Sequence, residues 1–147
     1  MKTTRREFAR GIASAAIAAR LAPGKGQERL PIAFSTLGCP AWDLQKILTF
    51  AQEHGFAAVE LRGLQGNLDL PSHPAFAADR IAQTKSEIQA HGLRIACVSS
   101  SSSLHESDPE KRAKVLADAR RFIDLAAVLQ APCVRVDRKS TRLNSSH

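Results

Sequence analysis

The sequence predicts an α/β fold built on a parallel sheet, and three observations carry that expectation. One helix-to-strand junction is written three times: His54-Gly55-Phe56-Ala57-Ala58-Val59-Glu60-Leu61, His91-Gly92-Leu93-Arg94-Ile95-Ala96-Cys97-Val98 and Leu129-Gln130-Ala131-Pro132-Cys133-Val134-Arg135-Val136. Each closes an amphipathic helix and opens a short apolar strand. Strands that alternate with helices imply right-handed crossovers and therefore parallel neighbours. Polar residues enter these strands only toward their C-terminal ends, the end at which parallel α/β folds place their ligands.

The elements follow in order. Pro31 precedes a first strand over Ile32 to Leu37, and Gly38-Cys39-Pro40 turns the chain. A helix from Trp42 to His54 sets Leu44, Ile47, Leu48 and Ala51 on one face, with Gly55 as its stop. The second strand is Ala57 to Leu61. A loop rich in Gly, Asn and Pro, residues 63–74, leads to a helix over Ala75 to His91, with Ile81 and Ile88 one heptad apart and Gly92 ending it. The third strand is Arg94 to Val98, and the serines 99–103 with Leu104-His105-Glu106 read as a flexible loop. Ser107-Asp108-Pro109-Glu110 carries a polar cap followed by proline, with Ser107 and Glu110 also spaced as a capping box. The third helix then runs to Leu129, facing Val115, Ala119, Phe122, Ala126 and Leu129 inward, and Cys133 to Val136 is the fourth strand.

Both termini read as something other than fold. Thr4-Arg5-Arg6-Glu7-Phe8-Ala9-Arg10 resembles the twin-arginine export motif, followed by a short Ala-rich apolar stretch from Gly11 to Ala19 with Ala16-Ile17-Ala18 as a candidate cleavage site. That stretch is too short to span a membrane. Residues 1–29 are therefore expected to be a signal peptide and linker, with export to the periplasm or beyond by the twin-arginine machinery. At the other end, residues 137–147 have no apolar periodicity and resemble the translation of a sequencing adapter, so they are expected to be non-native. The globular part is then 30–136.

Charge is distributed in the same way. Of the net +7, residues 1–29 contribute +5, the tail 137–147 contributes +2, and residues 30–136 are neutral, with eleven Lys or Arg against eleven Asp or Glu. A neutral body without a basic aromatic stripe argues against nucleic acid as a partner. Three cysteines, Cys39, Cys97 and Cys133, are odd in number and lack the close spacing of a zinc clip. They read as small buried hydrophobes, with Cys39, just after strand one, as the expected exposed thiol.

The chemistry gathers at the strand C-termini: Ser35 and Thr36, Glu60 and Arg62, Ser99 and Ser100, and Arg135. Glu60 stands between Val59 and Leu61, so alternation points it to the opposite face from both. A carboxylate directed inward needs a partner or a metal, because unpaired burial is costly. Arg62, two residues on, either neutralises it or holds an anionic or polyhydroxylated ligand. A purely structural Glu60–arginine bridge is the competing reading. His105 lies in a loop able to fold over such a pocket, although a lone loop histidine is more often solvated. His54 and His91, at helix C-termini, suit the helix dipole and read as structural. His73 carries no readable role, and Trp42 either walls a small pocket or packs the start of helix one.

Ile32-Ala-Phe-Ser-Thr-Leu-Gly38, Asp43-Leu44, Gly55-Phe-Ala-Ala-Val-Glu-Leu-Arg62 and Gly92-Leu-Arg-Ile-Ala-Cys-Val-Ser99 together resemble the first half of the sugar phosphate isomerase/epimerase family within the xylose isomerase-like TIM barrels. The resemblance covers residues 30–136 and rests most on Gly-Phe-x-x-Val-Glu-Leu. It implies the first half of a (β/α)₈ barrel, with four parallel strands and three helices. It also implies a sugar-like small-molecule substrate, and a divalent metal that polarises a carbonyl while a carboxylate moves the adjacent proton. The family's catalytic residues and metal ligands come from later strands, beyond Val136. Glu60, Arg62 and Arg135 match substrate-side positions, with Ser99 and His105 as further substrate-binding candidates and no metal ligand among them. A half barrel on its own is expected to be inactive and prone to association through its free edges. The competing functions are a metal-dependent phosphodiesterase of the apurinic-endonuclease kind and an exported solute-binding α/β domain. A flavodoxin-like doubly wound sheet is the competing fold, disfavoured because Gly38-Cys39-Pro40 stands where a Gly-rich phosphate loop would follow strand one.

Overall fold

A computed structural model describes residues 29–137. The export motif and the residues beyond Asp137 lie outside the described residues. Four strands, β1 (Leu30–Ser35), β2 (Phe56–Leu61), β3 (Arg94–Ser103) and β4 (Val134–Asp137), form one sheet in the order β1-β2-β3-β4. Every neighbouring pair is parallel. Three helices connect them: α1 (Leu44–Glu53), α2 (Ile81–Ala90) and α3 (Pro109–Leu129). No helix among the described residues is long and apolar enough to cross a membrane.

The core lies between the sheet and its helices. Asp43 opens α1 by accepting a hydrogen bond from Lys46 N at 2.8 Å, and Leu44, Ile47, Leu48 and Ala51 are buried along one face. They meet Val59, Leu61, Ile95 and Val98 of the sheet in one apolar cluster, to which α3 adds Phe122, Leu125, Ala126 and Leu129. Trp42 is half-buried at the start of α1, edge-on to Phe50 with centroids 5.3 Å apart, and its other neighbour is Lys46 Nζ, 4.5 Å from the ring centre. Packing therefore accounts for Trp42. At the C-termini of α1 and α2, His54 Nδ1 lies 2.9 Å from Phe50 O and His91 Nδ1 lies 2.8 Å from Glu87 O. Each ring thus lies against a carbonyl that also accepts the same histidine's backbone N–H, a position that ties the side chain to the helix end, the structural role expected of both.

Four elements differ from expectation. The second helix starts at Ile81 rather than Ala75, because Pro71 and Pro74 each sit at the start of a 3₁₀ turn, Leu70–Ser72 and Pro74–Phe76, before the chain becomes α-helical. Of the two caps offered for α3, the polar residue before proline holds, Asp108 taking the N–H of Lys111 at 2.9 Å with Pro109 in the first turn, and the Ser107–Glu110 box is not used. The serine run is strand, not loop: β3 continues to Ser103 and pairs Ser99 with Arg135 and Ser103 with Asp137. Serine has weak strand propensity, but here the hydroxyls of Ser99, Ser100 and Ser102 donate to partners on β2, β4 and α3. Cys39, expected to be exposed, is buried under α1 at 7% exposure, and burial raises its pKa against the opposing pull of Lys46. The exposed thiol is Cys133, immediately before the edge strand β4.

The three helix-to-strand junctions share one backbone solution. Gly55, Gly92 and Gln130 turn the chain with positive φ, at 73°, 64° and 58°. Glycine reaches that region freely, whereas glutamine has a Cβ that resists it. Gln130→Gly is expected to stabilise the fold by about 0.5 to 1 kcal/mol, read as a shift in urea midpoint at constant m-value. An unchanged or lower midpoint would show that the glutamine side chain contributes more than the strain it carries.

Candidate functional site

Each polar residue at the C-terminal rim is aimed by the strand beneath it. Register sets Ser35 beside Glu60, Glu60 beside Cys97, and Ser99 beside Arg135, so adjacent strands bring these positions together on the face away from the helices. Glu60 is the hub. Ser99 donates its hydroxyl to Glu60 Oε1 at 2.6 Å, and Arg135 Nη1 approaches the same oxygen at 3.5 Å. Burial pushes the Glu60 pKa upward, but hydrogen bonds from Ser99 and Ser35 and the charges of Arg135 and Arg62 outweigh it, so the carboxyl sits below its ordinary value and is ionised at neutral pH.

Arg62 leaves the end of β2 and extends to β3, donating Nη2 to Ser101 Oγ at 3.1 Å. Its other terminal nitrogen, Nη1, is shielded from solvent and has no partner among the described residues. An unpaired buried guanidinium donor costs free energy, so this is a position primed to accept an oxygen. The backbone that carries it is fixed from β1. Thr36, fully buried, accepts the N–H of Arg62 at 2.9 Å and of Gly63 at 3.2 Å on its hydroxyl. Thr36 is thus a support for the rim rather than a group that faces a ligand.

The serines divide by parity. Ser99 and Ser101 bond Glu60 and Arg62 on the inner face. Ser100 instead donates to Arg135 O at 3.0 Å, and Ser102 donates to Asp118 Oδ2 of α3 at 3.0 Å. Asp118 also receives Arg121, which reaches on to Asp69 and Ser72 of the loop after β2, binding that loop to α3. His105 lies in the exposed turn after β3 and makes no hydrogen bond or ion pair with the rim residues among those described. Ser101 was hidden from sequence reasoning by treating the run as loop. Alternation through an extended β3 is the signal that finds it.

The chain matches the xylose isomerase-like TIM barrel family over residues 48–144. It belongs to that family. The four parallel strands and their three helices are the first half of such a barrel, with Glu60, Ser99 and Arg135 on its inner surface. No curated protein matches the chain. Among solved structures, the probable 3-DHS dehydratase AsbF involved in petrobactin synthesis from Bacillus anthracis is similar in fold, with a TM-score of 0.56 at 16% identity. That similarity covers 73% of this chain and 38% of the solved one. The matched part of the present chain therefore spans less than half the length of that solved chain.

Enzymes built on the barrel commonly use a divalent metal, so the donors at the rim bear on whether one fits here. Among the described residues no three His, Cys, Asp or Glu side chains converge as a metal centre. Glu60 is a single carboxylate already engaged by Ser99 and Arg135. These residues suit an organic, hydroxyl-bearing ligand better than a cation.

Proposed function

We propose that this half barrel is the substrate-holding part of an exported sugar isomerase or epimerase. The observation that carries the reading is the juxtaposition of an ionised acceptor and an unsatisfied donor on one inner surface: the Glu60 carboxylate and Arg62 Nη1. A polyhydroxylated substrate offers O–H groups to the first and oxygen lone pairs to the second, and Ser99 and Arg135 hold Glu60 in place between them. Membership of the xylose isomerase-like barrels supports a sugar-processing enzyme. Proton transfer next to the carbonyl, with the aid of a divalent metal, is assigned to residues on later βα units, and the 147-residue chain alone is expected not to turn substrate over. Export rests on the Arg5-Arg6 motif.

The test is to resequence the source gene through codon 137 and express the reading frame continued to eight βα units. Exchange of substrate protons in deuterated water then reports the chemistry across a panel of aldoses and ketoses. Glu60→Gln is expected to reduce kcat/KM by about tenfold to a hundredfold, chiefly by weakening substrate positioning. Full activity in that variant would remove Glu60 from the site, and absence of exchange with every sugar would overturn the isomerase reading.

A further inference from the structure

Two cysteines stand side by side, Cys97 in β3 and Cys133 just before β4, near the Glu60–Arg135 pair. The pairing of Val98 with Val134 and of Ser99 with Arg135 continues backward to set Cys97 opposite Cys133, and Val98 N donates to Cys133 O at 3.2 Å across the same step. Cys133 Sγ reaches back over β3 to Ala96 O at 3.5 Å, the carbonyl that adjoins Cys97, and the Cys97 thiol beside it raises the Cys133 pKa. Adjacent strands run about 4.8 Å apart, which lies inside the Cα separation of roughly 4.4 to 6.8 Å that a disulfide tolerates. Cys97 is half-buried and Cys133 exposed, so a small oxidant can reach the pair, whereas Cys39 is buried on the opposite side of the sheet.

We propose that Cys97 and Cys133 form a redox pair, closing to a disulfide that ties β4 to β3. With a small-molecule disulfide such as oxidised glutathione as co-reactant, the thiolate of one cysteine attacks a glutathione sulfur and releases one glutathione thiol. The second cysteine then displaces the other glutathione, so the glutathione S–S bond breaks as the protein S–S bond forms, with two electrons passing to the glutathione. Arg135 stands two residues beyond Cys133, and Ser99 two beyond Cys97. The closed form therefore pins the edge strand at the point where it carries the partner of Glu60.

The experiment uses the 147-residue chain, incubated with oxidised glutathione, alkylated, digested with trypsin and examined by mass spectrometry. The expected product joins the peptide of residues 95–111, which holds Cys97, to that of residues 122–135, which holds Cys133, with the loss of two hydrogens and with Cys39 alkylated only after unfolding. The oxidised chain should also unfold at a higher temperature than the reduced chain, and Cys133→Ser should abolish that increase. Stable mixed disulfides with glutathione on either cysteine, a Cys133–Cys133 link between two chains, or an unchanged unfolding temperature in the cross-linked chain would each overturn the proposal.

Discussion

Phe122→Ala is expected to cost about 3 to 5 kcal/mol, the range for removing a fully enclosed aromatic ring from a core. Phe122 is 2% exposed and sits midway along the buried stripe of α3, with Ala119, Leu125, Ala126 and Leu129 on the same face. The ring fills the seam between α3 and the sheet and also lines a cavity of about 200 Å³ with Leu68, Asp69, Ser101 and Asp118. Its loss would enlarge that space rather than let it collapse, because Arg121 braces the loop wall through Asp69 and Ser72. Urea unfolding at pH 7 measures the cost. A change under 1 kcal/mol would mean that α3 docks through its smaller residues and that the ring is peripheral.

Thr36→Val is the second large effect, and it links stability to the rim. The substitution preserves shape and removes a hydroxyl that accepts two backbone N–H groups, from Arg62 and Gly63. Both donors would remain without a replacement in a fully buried setting, at a cost of about 2 to 4 kcal/mol. The same two bonds fix the backbone from which Arg62 reaches Ser101. Thr36→Ser, which keeps the acceptor, is expected to recover most of the loss. If the valine variant unfolds at the urea concentration of the parent chain while the serine variant unfolds earlier, the hydroxyl bonds contribute nothing and the methyl group is what the site requires.

The sequence made the architecture legible because its punctuation is physical. Gly55 and Gly92 mark turns that need positive φ, and the buried stripe of α1 follows the helical period residue for residue. The start of α2 was not legible, since consecutive proline-led 3₁₀ turns resemble the first turns of a helix in composition. The serine run was misread for a related reason. Its strand character comes from a neighbouring β4 and from hydroxyl partners distant in sequence, not from local propensity. Within the rim, Glu60 was found by alternation and Ser99 and Arg135 by their place at strand C-termini, and the structure brings both into contact with Glu60. Thr36 was visible only as a polar residue at a strand end, and its role depends on backbone atoms 26 and 27 positions away.

The parity of β3 separates two kinds of change that usually interfere. Positions 99 and 101 look into the barrel, while 100 and 102 fasten the strand to β4 and to α3. Because the fastening bonds belong to Ser100 and Ser102, a mutation at Ser101 alters what the surface can recognise while leaving those bonds in place. A lineage could therefore explore new ligands by replacing alternate serines, keeping the intervening ones as rivets.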